Sequence, residues 1–346
     1  PDVIIIGAGI SGLYQLYRLR ELGYSVQVFE TGSDLGGTWY WNRYPGARFD
    51  SESYTYGYSF SDELLQEWSW SEHFAPQPET LRYLQHVADK FDLRRHIQFN
   101  SRVVSAHFNE ASGSWQVTLD SGAQHKSRFL ITALGPLSAD TLPRIPGVES
   151  FAGQSFHTYR WPHEPVSFAG KRVAVIGTGA TGVQVIQTIA AEVGSLTVFQ
   201  RTPNFSIPSR NRPMDDEYEQ GWKRDYASLR KQARMMRTGI LYGLSETPAM
   251  SVSAEERRAE YEKRWATGGT AFMGSFRDLL LDQAANDTAA EFVRGKIREI
   301  VKDPATAEKL CPRNHPIGTK RICVDTNYYE TYNRPNVSLI DIRQSD

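Results

Sequence analysis

No stretch of this chain approaches the roughly 18 consecutive apolar residues of a membrane-spanning helix, which excludes such a span. An excess of either charge is also missing. With 39 Lys and Arg against 40 Asp and Glu, the formal net charge is -1, so the electrostatic footprint of a nucleic-acid binder is absent. Cysteine is scarce. Cys311 and Cys323 allow one bridge at most and lack the spacing of a metal site, which suits a reducing, cytoplasmic compartment. Neither an initiator Met nor a signal peptide is present, and the expectation is a trimmed start. Low-complexity segments and short solenoid periods are lacking too. What remains is a globular composition, 40% hydrophobic and 23% charged over 346 residues, enough for roughly two domains.

The first thing present is a repeated unit. Val3-Ile4-Ile5-Ile6 is a short β-branched run ending at Gly7, as expected of a buried strand in a parallel sheet. Apolar residues at helical spacing follow over Leu13 to Leu22, and a second strand is predicted over Ser25 to Glu30. The unit recurs: Val173 to Ile176 enters Gly177, a helix runs through Val185 and Ile189, and Leu196 to Phe199 ends at Gln200. Gly7 to Glu30 and Gly177 to Gln200 both span 23 positions. The predicted fold is α/β, with two Rossmann-like dinucleotide-binding domains.

Each unit carries a G-x-G-x-x-G turn between strand and helix. In Gly7-Ala8-Gly9-Ile10-Ser11-Gly12 the first Gly permits the tight turn, the second admits a pyrophosphate, and the third lets helix pack on strand. The helix N-terminus offers N–H groups and a positive dipole end to phosphate. Glu30 closes the second strand, placed to accept from a ribose 2′-OH. In Gly177-Thr178-Gly179-Ala180-Thr181-Gly182 the acid position is Gln200, followed by Arg201 and Thr202. Without a carboxylate, a 2′-phosphate is not repelled, and Arg201 can pair with it while Thr202 adds a hydroxyl. Arg201 can also be read as a solvated strand-end charge. A free 2′-OH at the first site and NADP(H) at the second imply a flavoenzyme with FAD in the first domain.

Between the cradles, Arg102 to Phe108, Trp115 to Leu119 and Arg128 to Thr132 read as strands of a small antiparallel sheet, with turns at Ser112-Gly113 and Ser121-Gly122. The expected domains are FAD-binding over 1–146, a linker over 147–171, NADP-binding over 172–212 and 313–340, and a helical insertion over 213–312. Residues 341–346 would begin a return to the FAD domain. Within the insertion, Ser253 with Glu256 predicts a capping box, and Asp303-Pro304 a capped helix start.

The linker reads Phe151-Ala152-Gly153-Gln154-Ser155-Phe156-His157-Thr158-Tyr159-Arg160-Trp161-Pro162, an F-x-G-x-x-x-H-x-x-x-W-P pattern. With the two cradles and the tract Gly36-Gly37-Thr38-Trp39-Tyr40-Trp41-Asn42-Arg43-Tyr44-Pro45-Gly46-Ala47-Arg48, the whole chain resembles the type I Baeyer-Villiger monooxygenases. Related flavin monooxygenases and N-hydroxylases carry a looser pattern without the Trp-Pro ending. The resemblance implies that NADPH-reduced FAD takes up dioxygen as a peroxyflavin, which converts a ketone to an ester or lactone. Its stabilisation calls for a fixed cation, and the resemblance assigns Arg321 in Gly318-Thr319-Lys320-Arg321, oriented by Asp50. Lys320 would join Arg201 on the 2′-phosphate. Trp39, Tyr40, Asp50 and Tyr56 would lie nearest FAD, with Ser11 and Glu30 on its phosphate and ribose ends. Thr38, Trp41, Val103, Arg48, Ala180, Thr181 and Gln184 complete the expected cofactor-binding set. Bland readings stand beside these: Asp50 as a turn cap, Lys320-Arg321 as surface charge, and the aromatics between Tyr40 and Phe60 as core.

His157 reads as a hydrogen-bonding hinge that couples domain motion to flavin reduction, with Trp161 as its packing anchor. Members of the family continue beyond Asp346, so the C-terminal completion of the FAD domain is expected to be missing. Trp222, Met235, Met236, Trp265 and Phe272 of the insertion either shape the ketone pocket or form core. The runner-up activity is S- or N-oxygenation, and the non-enzyme alternative is a nucleotide-binding regulator that needs only the cradles.

Overall fold

Val3–Ile6 form strand β1, and three of its four side chains are removed from water. It lies between β2 (Val26–Phe29) and β7 (Phe129–Thr132), parallel to both, with Val3 opposite Val26 on one side and Phe129 on the other. A two-residue strand β3 (Ile97–Gln98) extends the sheet beside β2, giving the order β3-β2-β1-β7. The structure, a computed structural model, describes residues 1–236, 239–241 and 243–343. It divides into two units: Pro1–Tyr44 with Gln77–Glu164, and Pro45–Pro76 with Pro165–Asp346.

In the first unit the helix Ile10–Glu21 buries Leu13 and Leu16. A three-stranded antiparallel sheet, β4 (Val103–Asn109), β5 (Ser114–Leu119) and β6 (Gln124–Ser127), packs its Val117 and Leu119 against Ile4 and Phe29. Each such burial contributes about 1.5–3 kcal/mol. The third antiparallel strand differs from expectation. Arg128 to Thr132 does not close this sheet; Phe129–Thr132 joins β1 instead, and Gln124–Ser127 takes the place. The apolar run suits a parallel sheet. The polar Gln124-His125-Lys126-Ser127 lacks the alternation by which strands are recognised.

The second unit has its own parallel sheet, β8 (Arg172–Ile176), β9 (Ser195–Gln200) and β12 (Val337–Asp341), in the order β12-β9-β8. The helix Ala180–Ile189 follows β8 and buries Val183, Val185, Ile186 and Ile189. The segment Pro45–Pro76, expected within a first domain of 1–146, belongs to this unit. Backbone pairing explains why: Ser53 N–H donates to His73 C=O, and His73 N–H to Arg212 C=O. Arg230 then clamps the segment by donating to the carbonyls of Tyr54, Thr55 and Gly57 at 2.6–2.9 Å. The linker expected over 147–171 divides at Glu164 and Pro165. Of the return expected over 341–346, Asp341 completes β12, while residues 344–346 lie outside the described residues.

Among the described residues, four α-helices build the region read as an insertion: Asp216–Met235, Ala254–Thr267, Gln283–Ile300 and Pro304–Leu310. Each starts on a side-chain cap, from Asp215, Ser253, Asp282 and Asp303 respectively. The Ser253–Glu256 box is closed in both directions, and Pro304 stands in the first turn after Asp303. Trp222, Trp265 and Phe272 are buried with their aromatic neighbours, whereas Met235 is exposed. No helix among the described residues is long and apolar enough to cross a membrane.

A short parallel pair, β10 (Ser206–Pro208) and β11 (Cys323–Asp325), joins the two ends of the insertion. Asp325 is buried there and accepts from Ser206 Oγ at 2.5 Å and Tyr328 N–H at 3.1 Å. Burial pushes its carboxyl up to about 6, against the opposing pull of these hydrogen bonds. A carboxyl raised on folding stabilises fully below its ordinary range, and that contribution fades as pH rises through about 6. Urea unfolding between pH 4 and 7 is expected to show a loss of about 3 kcal/mol from this group, and Asp325→Asn is expected to flatten it.

Candidate active site

In the first unit, Gly7 takes φ +101°, and a Cβ on Gly12 would sit 1.9 Å from Gly7 O. Only glycine permits the turn and the helix's close approach. Gly9 occupies the N-cap in extended conformation, and no side chain caps the helix. Ser11 is exposed in its first turn. Glu30 is buried beside this turn. Its Oε2 accepts from Ala8 N–H at 2.7 Å and its Oε1 from Gly32 N–H at 2.8 Å. Each oxygen keeps a further lone pair, so the carboxylate is fixed yet still able to accept from a ribose hydroxyl.

The aromatic tract of this unit is placed with similar economy. Thr38–Trp41 form one helical turn, with Trp39 and Tyr40 buried. Gln77 Nε2 donates to Trp39 C=O. Tyr40 Oη lies 2.7 Å from Ser33 Oγ, and Trp41 stacks on Tyr159 with centroids 5.8 Å apart. Val103 is half-buried against the Ile4–Phe29 core. His157 Nδ1 accepts from Tyr159 N–H at 3.3 Å and so caps the turn Thr158–Arg160, while Trp161 packs on Phe156 at 5.4 Å.

The second unit repeats the cradle. Gly177 takes φ +104°, and a Cβ on Gly182 would lie 2.2 Å from Gly177 O. Gly179 is an N-cap without a side-chain cap, and space is open around it. Ala180 and Thr181 begin the helix. At the strand end the units part. Gln200 is buried and donates to Lys309 C=O at 2.7 Å, whereas Glu30 turns back to its own glycine turn and accepts from Ala8 N–H. Arg201 is exposed, and Thr202 C=O accepts from Thr178 Oγ1 at 3.0 Å. Gln184 Nε2 donates to Arg48 C=O at 3.0 Å, and the Arg48 guanidinium bonds Glu72 at 2.9 Å and Phe74 C=O at 3.1 Å. Gln184 and Arg48 thus hold the Pro45–Pro76 segment, a task that their sequence context does not announce.

Arg321 and Asp50, 271 positions apart, meet at 2.5 Å. Asp50 is nearly buried, whereas the Arg321 side chain is 72% exposed. Burial pushes the Asp50 carboxyl up, and the Arg321 charge opposes that shift. Phe49 stacks on Tyr56 at 4.4 Å beside it. Lys320 is exposed, and its charge, after burial, depresses His315. Cys323 lies beneath, its thiol pushed up to about 12 by burial and the Asp50 charge. Asn204 escaped the sequence reading: its Nδ2 donates to Arg321 C=O at 3.2 Å. Its nearness to Arg201-Thr202 was the one available signal.

Both cradles fit a dinucleotide by helix N-termini that no side chain caps, the second also by the open space around Gly179, and no group of metal-ligating residues occurs among the described residues. A family model described as flavin-binding monooxygenase-like matches residues 2–218. Cyclohexanone 1,2-monooxygenase of Acinetobacter sp is 48% identical over 347 residues, covering 99% of this chain and 63% of that protein. Phenazine N-monooxygenase of Lysobacter antibioticus is 44% identical over 347 residues, with 99% and 64% covered. The solved structure of an oxidised steroid monooxygenase bound to NADP superposes with a TM-score of 0.96 at 53% identity, covering 99% of this chain and 65% of that one. The chain therefore spans just under two thirds of the relatives it matches.

The ion pair yields a direct test. In Arg321→Ala the Asp50 carboxyl is expected to titrate at higher pH than in the parent protein, because the opposing charge is gone. Difference infrared spectroscopy of the carboxyl band, with Asp50→Asn to assign it, checks this; an unmoved band would refute the coupling.

Proposed function

The chain belongs to the flavin-binding monooxygenase-like family, and from that premise we propose that it serves NADPH- and dioxygen-dependent oxidation of a ketone to an ester or lactone, a Baeyer-Villiger oxidation. FAD would occupy the first cradle and NADP(H) the second. The nicotinamide supplies hydride and the flavin activates dioxygen when both are bound.

What this chain's residues do follows from their chemistry. The uncapped helix at Gly9 and its first-turn Ser11 would receive the FAD pyrophosphate, and Glu30 the adenosine ribose. Thr38, Trp39, Tyr40 and Trp41, with Val103, would line the flavin side of the first unit. In the second unit Gly177, Gly179, Ala180, Thr181 and Gly182 would cradle the other pyrophosphate. Arg201, Thr202 and Lys320 supply two cations and a hydroxyl for a 2′-phosphate. Gln200 brings no negative charge to oppose it.

The observation that carries the oxygenation reading is the Arg321–Asp50 pair. An anionic oxygen developing on the substrate needs a donor already in place. Arg321 stays charged at any working pH, and Asp50 fixes one of its nitrogens while exposure leaves the others available. Tyr56 and Phe49 shield that corner from water. Both cysteines are free and buried, which supports a reducing, cytoplasmic setting.

N-oxygenation is a second reading, favoured by the similarity to the phenazine N-monooxygenase. It needs the oxidant in its protonated form and so makes less demand on Arg321. The visible spectrum of the FAD-loaded protein, followed on anaerobic NADPH addition and return of air, tests the common ground. Arg321→Ala is expected to lower ester formation at least 100-fold while NADPH still bleaches the flavin. Undiminished ester formation would remove Arg321 from the chemistry. His157→Ala is expected to slow turnover with FAD still bound, and unchanged turnover would leave His157 as a turn cap only.

A further inference from the structure

Asn204 stands two residues beyond Thr202, and none of the roles above uses it. Its Nδ2 carries two N–H groups, and the structure gives each an acceptor: Arg321 C=O and Cys323 Sγ, both at 3.2 Å. The segments it joins are then paired in register, with Cys323 N–H donating to Phe205 C=O at 3.0 Å and Ser206 opposite Cys323. On one side of this joint lies the Arg201–Thr202 turn, anchored to the second cradle by Thr178. On the other lie Lys320 and Arg321, exposed and outside any helix or strand.

Exposed cations on irregular backbone lose conformational freedom when they bind, and that loss weakens binding. Asp50 restrains the Arg321 guanidinium but nothing upstream of it. The main chain between Lys320 and Cys323 is restrained by Asn204. A 2′-phosphate shared by Arg201 and Lys320 requires that these two segments converge, and the Asn204 amide is a direct side-chain link between them.

We propose that Asn204 is a positioning residue: by holding the Arg321 carbonyl it sets Lys320 and Arg321 against the Arg201–Thr202 turn, so that one amide governs both 2′-phosphate discrimination and the placement of Arg321. This rests on reading the second cradle as the NADP(H) site.

Calorimetric titration of the FAD-loaded protein with 2′,5′-ADP and 5′-AMP, which differ only by the 2′-phosphate, tests it without turnover. The parent protein is expected to prefer 2′,5′-ADP. In Asn204→Ala that preference is expected to fall about five-fold, the worth of one ordinary hydrogen bond, with 5′-AMP affinity unchanged. Asn204→Leu, close in volume and without a donor, should do the same and serves where the alanine variant does not fold. Cys323→Ala, which leaves the carbonyl bond intact, should keep the parental preference. An unchanged preference in both Asn204 variants, or an equal loss for both nucleotides, would overturn the proposal. A parent protein that does not discriminate would instead defeat the NADP(H) reading, and the proposal with it.

Discussion

The structure depends on how helix N-termini are satisfied. Every α-helix begins with backbone N–H groups that have no partner within the helix. The four helices between Asp216 and Leu310 resolve this locally, with Asp215, Ser253, Asp282 and Asp303 turned back onto their own first turns. The helices at Gly9 and Gly179 have no such side chain. Each follows a parallel strand through a glycine at positive φ. The short turns Thr38–Trp41, Ser53–Tyr56 and Tyr328–Thr331 also lack a side-chain cap, so what sets the two cradles apart is a longer helix that follows a glycine turn.

Charged pairs also differ among themselves. Surface ion pairs such as Arg298–Glu308 join solvated neighbours, and their net effect on stability is small. The Asp50–Arg321 pair instead joins a nearly buried carboxylate to an exposed guanidinium. Desolvation makes Asp50 costly to ionise alone, so the fold keeps a demand for the arginine in place. The arginine, with most of its surface open, retains donors for something else. Such asymmetry suits a group that must be held and remain usable.

Local chemistry was legible in the sequence and long-range pairing was not. The strand-turn-helix units, the Ser253–Glu256 box and the Asp303 cap depend on residues within a few positions of one another, and the fold contains them. Strand β6 was invisible because Gln124-His125-Lys126-Ser127 shows no apolar alternation and is set only by its register with β5. The assignment of Pro45–Pro76 to the second unit rests on pairs such as His73 with Arg212, which no local pattern encodes. Asp50 and Arg321 were reached only through a family resemblance, their contact spanning 271 positions. Asn204, Glu72 and Arg230 act through backbone carbonyls or partners far along the chain, and residue type alone carries no trace of that.

The two strand ends also bear on how nucleotide preference could drift over evolutionary time. Glu30 and Gln200 occupy equivalent places in a 23-position repeat, yet their side chains leave the strand for different destinations. Gln200 is sealed against the carbonyl of Lys309, and its Oε1 finds no partner among the described residues. A carboxylate arriving there by mutation would face that carbonyl in the interior, an encounter between like partial charges that the fold would resist. A residue at this strand end must therefore first give up the bond to Lys309 before it can reach a ribose. The exposed Arg201 and Lys320 carry no such commitment to the interior, so charge can be exchanged there with less disturbance to the core.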